Sequence, residues 1–331
     1  MNKIKFPKDE KKHNSVIEWW YFNGILKDEK NRTYSFMNTL FNAKTSKVDI
    51  KIYNHTAPKR VYFSHSILTD ISKKRKYHEV IPIVFVDKNS FKEKDLNISY
   101  SSPMYRTYVI KKLDNNIYRI KNSHIDLILK ARKKPLLVDD GFLKLPKKTT
   151  YYYSITNFDA QGYIYERGKA IHVEGKAWHD HQWSNYGNSD DEWEWFSIQL
   201  DDDREILCFN YRNKNSKKVI TKGYFVDDKN KKIKDIVISP TKHYWKSKQT
   251  DSKYCTKYFI SSKKMNLFLE CNAINKNQEI IFGEISYWEG PISVKGTIDN
   301  KKVKGNGFME LVGAKLNYKN ILSIITKKIR L

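Results

Sequence analysis

Apolar and polar residues alternate with a period of two along most of the chain, and that spacing limits the fold more narrowly than any other feature. In a strand, successive side chains point to opposite faces, whereas a helix repeats every ~3.6 residues. Glu18 to Leu26 places Trp20, Phe22 and Leu26 on one face and Trp19, Tyr21 and Ile25 on the other. A polar turn, KDEKN, and a second aromatic run, RTYSFMNTLF, complete the signature of a hairpin partly buried on both faces. Comparable runs follow, among them RVYFSHSILT, HIDLILKA, TTYYYSITN, AIHVEGKAW, WEWFSIQL, REILCFNYR and KVKGNGFMELVG, bounded by Asp, Asn, Lys or Pro turns. Long helical periodicity is nearly absent, so the spacing predicts an all-β fold built as barrels or a sandwich.

At 331 residues the chain exceeds one ordinary core, which predicts two domains. The turn formers and charges of NYGNSDDE, residues 185–192, mark the expected seam; no internal sequence repeat is visible. Only the tail departs from the strand pattern. Tyr318, Ile321, Leu322, Ile325 and Ile329 stand at helical spacing, with Lys319, Lys327, Lys328 and Arg330 around the rest of the wheel. That predicts a short helix over 316–331, docked on a barrel or resting on an anionic membrane, where each basic residue adds ~1 kcal/mol.

The N-terminal segment carries charge without an apolar run, and no stretch approaches the ~20 apolar residues of a membrane helix. A soluble, cytoplasmic protein is expected, with peripheral membrane contact through the tail as its one route to a bilayer. Cys208, Cys255 and Cys271 are widely spaced and odd in number, which fits reduced thiols. The net charge of +25 raises the question of nucleic acid, but the lysines are spread through loops and no recognition motif accompanies them, so nucleic acid is not an expected partner. No nucleophile elbow, P-loop or dinucleotide fingerprint occurs, and no cofactor is expected.

The chemistry concentrates in GKAWHDHQWSNYGNSDDEWEWFSIQL, residues 175–200. His179 and His181, at i and i+2 on a strand, point the same way and could share a metal ion with Glu18, His65 or His172 as third ligand. Nothing in the spacing fixes that third ligand. Asp180 lies between them, flanked by Trp178 and Trp183, with Trp193 and Trp195 beyond. A carboxyl in an aromatic surround has its charged form disfavoured and can serve as a general acid, while ring faces stabilise a cation. The same residues also read as plain β-core, with Asp180 capping a turn or pairing with Lys176 or His181.

HNSVIEWWYFNGIL, FSHSILTD and YYYSITNFDAQGYIYERGKAIHVEGKAWHDHQW resemble, in this order, motifs of the carotenoid hydratase (hydroxyneurosporene synthase) and AttH-like lipocalin-related family. The similarity runs from about His13 to Gly313. It implies two tandem lipocalin-like antiparallel barrels packed together, residues 1–187 and 188–315, and leaves the basic tail outside the likeness. It also implies hydrophobic substrates, since family members hydrate a terminal double bond of acyclic carotenoids or act as isomerising and cyclising enzymes. The family's signature Asp falls on Asp180, its flanking tryptophans on Trp178 and Trp183, its entry motif on Glu18, Trp19, Trp20 and Tyr21, and its strand histidine on His65. His179 and His181-Gln182 stand where many relatives carry Met and Arg-Glu.

The expectation is therefore a cofactor-independent, metal-free hydratase, cyclase or isomerase for a polyene or terpenoid-like molecule. Asp180 would give the proton, with His65 or His181 orienting it and Glu18, Trp19, Trp20, Tyr21, Trp178, Trp183, Trp193 and Trp195 around the substrate. The competing expectation is a carrier that holds a hydrophobic small molecule without chemistry.

Overall fold

The computed structural model describes residues 3–45, 59–104, 106–146, 148–187, 191–213, 218–283 and 285–313. The tail helix predicted over 316–331 lies outside the described residues. Within them the fold is all-β and antiparallel, with curled sheets of the lipocalin kind, as the period-two pattern predicts. By contacts, the chain divides into two compact units, Met1–Ser189 and Asp190–Leu331. No helix of the described residues is long and apolar enough to cross a membrane.

In the first unit a twelve-stranded sheet places Arg75–Ile81, Arg60–Asp70, Thr33–Lys44, Ile17–Asp28, Lys169–Ser184, Lys148–Glu166 and Ile125–Ala131 side by side, and then continues toward Phe85–Val86. Ile17–Asp28 and Thr33–Lys44 form the predicted hairpin. Asp28 closes its turn by accepting the Lys30 and Arg32 amides at 2.9 Å each, and Asn31 takes the left-handed conformation, at φ 56°, that short turns demand. The unit's first long strand, Ile17–Asp28, pairs with its last, Lys169–Ser184. That non-local pairing lays EWWY against WHDHQW, two motifs some 160 residues apart in sequence.

One face of this sheet carries the hydrophobic core, with Trp20, Phe22, Leu26, Phe36, Leu40, Tyr153, Phe158, Ala177 and Trp183 among its members. The opposite face is also well buried around Tyr21, Met37, Tyr152 and Trp178. Gly24 belongs to the crowded face: a Cβ there would meet Lys176 O at 2.5 Å and the Phe36 ring at 2.6 Å, so only glycine lets that ring lie across the strand.

The second unit repeats the plan in a ten-stranded sheet, its first strand, Asp191–Leu200, pairing with its last, Lys301–Val312. Its core gathers Phe196, Ile198, Ile206, Trp288 and Met309, and Cys208 and Cys271 pack there as small apolar groups. All three cysteines are free and buried.

Candidate active site

Strand alternation decides which of the candidate residues can meet. In the pairing of Ile17–Asp28 with Lys169–Ser184, Glu18 stands opposite Trp183, Trp20 opposite His181, Tyr21 opposite Asp180 and Phe22 opposite His179. Glu18, Trp20, Phe22, His179, His181 and Trp183 therefore share the core face. Trp19, Tyr21, Trp178 and Asp180 share the other. The sequence reading had grouped them as one site around Asp180; the structure separates them, because neighbours along a strand point apart.

On the core face, Glu18 is fully buried, yet its carboxylate is surrounded by donors. His13 reaches Oε1 through Nδ1 at 2.8 Å and through its backbone amide at 3.1 Å, His181 Nε2 reaches Oε1 at 3.0 Å, and Asn42 Nδ2 reaches Oε2 at 3.1 Å. Asn42 is in turn held by Arg60 Nη1 at 2.9 Å. Burial alone would raise the Glu18 pKa, but the hydrogen bonds from His13 and His181, together with their charge, hold it below the ordinary carboxylate value. A carboxylate that stays ionised accepts from both rings, which assigns His181 as the Nε2–H tautomer and leaves Nδ1 as a lone pair. Burial keeps His181 neutral by lowering its pKa, while Glu18 and, more weakly, the Asp9 backbone oppose that shift.

The His181 lone pair has no protein partner, and neither has His179 Nε2 or the Tyr153 hydroxyl. His179 donates its other nitrogen to the Tyr21 carbonyl at 2.9 Å, and burial pushes its pKa down to about 3. Tyr153 stands opposite His181 in the Lys148–Glu166 strand, their rings edge to face at 5.4 Å, and lies 5.9 Å from the ring of His179. Burial holds the phenol well above its usual pKa, so it remains a hydrogen donor. Three buried, unpartnered polar groups on one face carry a desolvation penalty of ~1–3 kcal/mol each, and such groups mark places where function overrides stability.

Aromatic rings wall the cluster. Trp20 stacks on His181 at 4.9 Å, Phe22 on His179 at 4.1 Å, and His13 on Trp183 at 3.8 Å. Beside His13 and Trp183 opens a cleft of about 360 Å³ that also touches Ser15, Thr149 and Tyr151. A second, of about 370 Å³, reaches Ile155, which faces His179 across the strand pair, and Phe6, which packs edge-on against Tyr153 at 4.9 Å.

The opposite face is arranged differently. Asp180, 4% exposed, accepts from Trp178 Nε1 at 2.7 Å on one oxygen and from Tyr152 OH at 2.6 Å on the other. Burial raises its pKa to about 6 despite these bonds and the nearby Ser154 hydroxyl. It pairs with neither Lys176 nor His181, since Lys176 bonds to Asp159 at 3.0 Å. His65 is on this face too, but three strands away along the row Asp180, Tyr21, Thr39, His65. It packs, tilted, against the stacked pair Phe41 and Phe63, and burial lowers its pKa to about 3. Trp193 and Trp195 belong to the second unit, where Trp193 donates to Glu310 at 3.0 Å and Trp195 is buried.

The metal arrangement considered from H-x-H changes as well. His179 turns to a backbone carbonyl and His172 packs near Tyr163, whereas His13, Glu18 and His181 bring one ligand atom each within 4.8 Å of one another. Two imidazoles and a carboxylate at that spacing could hold a divalent cation, with Asp9 at 3.4 Å from His13 Nε2 as an outer support. Sequence reasoning missed His13, Asn42, Tyr152 and Tyr153, although HNS and YYYS were in view; period two already places Tyr152 and Tyr153 on opposite faces.

Curled antiparallel sheets with a polar cluster buried on an aromatic face define a protein of lipocalin-like fold. The chain belongs to the AttH-like family, whose model matches residues 1–314. Its fold is that of an AttH protein from Nitrosomonas europaea, with a TM-score of 0.72 at 24% identity over 94% of this chain and 97% of that one. Kievitone hydratase from Nectria haematococca gives 0.71 at 14% identity over 95% and 94%. CghA bound to Sch210972 gives 0.56 at 11% identity over 91% and 89%. No curated protein matches the sequence.

Proposed function

We propose that this protein is a cofactor-independent enzyme of the lyase or isomerase type, adding or removing water at, or moving, a double bond conjugated to a carbonyl group in a largely apolar polyene or terpenoid-like molecule. The observation that carries this reading is the pairing of buried Glu18 with His181 Nε2, which leaves Nδ1 as an unpartnered base on a ring that meets the Tyr153 ring edge to face at 5.4 Å. The fold shared with kievitone hydratase and CghA and the resemblance to carotenoid hydratases lend support to this class of reaction. Fold alone does not select a reaction, so the weight rests on the cluster.

In the hydration direction, His181 Nδ1 takes a proton from water as the hydroxide oxygen bonds to the far carbon of the conjugated system. Negative charge moves to the conjugated oxygen, where the Tyr153 O–H stabilises it, and His181 returns its proton to the near carbon. Atoms and charge balance, and elimination is the reverse. Glu18 stabilises the imidazolium formed in between. A positioned base of this kind contributes ~10²–10⁴-fold, and the Trp20, Phe22 and Trp183 rings exclude water from the remainder of the surface. Asp180, the acid expected from the sequence, has both oxygens engaged on the other face, so the proton transfer is assigned to His181, with Tyr153 as the oxyanion donor.

The test starts from the organic extract of the purified protein, identified by mass spectrometry and incubated with enzyme in water labelled with heavy oxygen. Consumption of the ligand with label in the product supports a hydro-lyase, and a rearranged isomer without label supports an isomerase; His181→Gln should abolish either. A ligand that stays bound and unchanged makes the protein a carrier and refutes the proposal. Stoichiometric metal in elemental analysis, lost in His13→Ala, would replace the proton relay by a metal centre.

A further inference from the structure

Glu18, His13 and His181 also have the spacing of an incomplete metal shell. His13 Nδ1 and His181 Nε2 stand 2.8 and 3.0 Å from the same oxygen, Glu18 Oε1, and the three donor atoms lie within 4.8 Å of one another. A tetrahedral zinc ion with bonds of ~2.0–2.2 Å sets its ligands ~3.4 Å apart, so small adjustments close the shell. Glu18 Oε2 is engaged elsewhere, by Asn42 Nδ2 and the His13 amide at 3.1 Å each, which leaves Oε1 for an ion. Behind His13, Asp9 Oδ1 lies 3.4 Å from Nε2, and the other Asp9 oxygen accepts the Lys5 amide at 2.7 Å. A carboxylate behind a ligating imidazole fixes its tautomer and strengthens it as a ligand. Together, Glu18 and Asp9 balance the charge of a divalent ion. The neighbouring cation, Arg60, is engaged by Asn42 Oδ1 at 2.9 Å and by the Ser15 carbonyl at 2.5 Å. His13 lines the cleft beside Trp183, so the outer ligand is open to solvent.

We infer that His13 Nδ1, Glu18 Oε1 and His181 Nε2 form a reversible zinc site, and that zinc bound there switches the proton relay off. Two imidazoles with one carboxylate suit zinc, whereas magnesium and calcium favour all-oxygen shells. A neutral imidazole bound to metal through Nε2 carries its one proton on Nδ1. The Nε2 proton passes to water and Nδ1 gains one from water, so the lone pair that serves as the base becomes an N–H. On His13 the same exchange puts the proton on Nε2, facing the Asp9 acceptor. The inhibition rests on the relay at His181; the metal site does not. A resident catalytic metal would be required for turnover, whereas this ion stops it.

The full chain, stripped with a chelator, is titrated with zinc by calorimetry and with cobalt(II) by absorption. One ion per chain is expected, and the cobalt spectrum should lack a thiolate band, since the cysteines are not ligands. His13→Ala should abolish binding and Asp9→Asn should weaken it ~10-fold, while His172→Gln, exposed at the far end of the strand that carries His181, should leave it intact. Nitrogen-15 spectra of the labelled rings should show the His181 proton moving from Nε2 to Nδ1. Turnover of the extracted ligand should fall in step with zinc occupancy and return with chelator. No binding, binding that survives His13→Ala, or bound zinc with the His181 proton unmoved overturns the site. Turnover that continues after the proton has moved overturns the relay and its inhibition but leaves the site standing. Turnover seen only with zinc present overturns the inhibition and makes the cluster a metal centre.

Discussion

Asp180 and His181 are neighbours in the chain and opposites in the fold. On Asp180, burial favours the protonated acid; on His181, the neutral ring. Desolvation acts in the same sense on both, toward loss of charge. What differs is completion. Each oxygen of Asp180 receives a donor, Trp178 or Tyr152, and the residue behaves as a knot in the sheet. His181 is tied to Glu18 through Nε2, while its Nδ1, like the Tyr153 hydroxyl and His179 Nε2, has no hydrogen-bond partner. A shifted pKa therefore identifies neither residue as reactive; an unfinished hydrogen-bond set beside a cleft is the more discriminating sign.

Substitutions that attack this contrast should differ in kind. Glu18→Gln should have the largest effect. Its amide oxygen cannot match a carboxylate facing two imidazole donors, and its amide nitrogen adds a donor among donors. Turnover per folded molecule should fall by ~10²–10⁴-fold, and unfolding in urea should show a stability loss of ~3 kcal/mol, as when one partner of a buried pair is removed. Turnover within a factor of about two of wild type would mean that the cluster is structural.

Tyr153→Phe should break the comparison from the other side. Its hydroxyl has no protein partner, so removing it should leave stability unchanged or raise it by ~1 kcal/mol, while turnover falls by ~10²-fold, as when one oxyanion donor is lost. Opposite movement of stability and activity is what a group retained for chemistry produces. Loss of stability with full activity would place Tyr153 with the core.

Asp180→Asn should show the reverse at smaller scale. One amide side chain cannot accept from both Trp178 and Tyr152 without presenting N–H to a donor, so the unfolding free energy should drop by ~1–3 kcal/mol. Turnover of the folded fraction should stay within about twofold. A large fall in turnover at unchanged stability would return the acid role to Asp180.

Much of this fold was legible in sequence because strand period and turn chemistry are local. Trp20, Phe22 and Leu26 share a face as the alternation predicts, and Asp28 to Asn31 form the turn that KDEKN announces. The all-β class followed from those local signals repeated along the chain. The site was legible only as segments. WHDHQW was conspicuous, but its neighbours depend on a pairing between the first and last long strands of the unit, and no local pattern encodes that register. Composition drew Asp180, Trp178 and Trp183 into one group although alternation already divided them. His13 was out of reach for another reason: it sits before the strand, and only the bend of the chain at 13–18 brings its ring to Glu18.

The last effect concerns pH rather than turnover and bears on the comparison directly. Asp180 titrates near 6 in the folded protein against an ordinary 3.8, so between those values the folded state holds a proton that the unfolded chain has released. Its contribution to stability is fully present below about pH 4 and is lost as pH rises through 6, a change on the order of 3 kcal/mol at most. His65 and His179 act in the opposite sense. Their folded pKa values near 3 lie below the ordinary 6.5, so stability is present above pH 6.5 and is lost as pH falls toward 3. With two histidines against one carboxyl, wild-type stability should still rise between pH 4 and 6. Asp180→Asn removes the opposing carboxyl, so the variant's stability should climb more steeply across that window and close part of its deficit by pH 7. Urea unfolding at half-unit steps measures the difference: parallel curves would mean that Asp180 is ionised in the fold, and the symmetry drawn between it and His181 would fail.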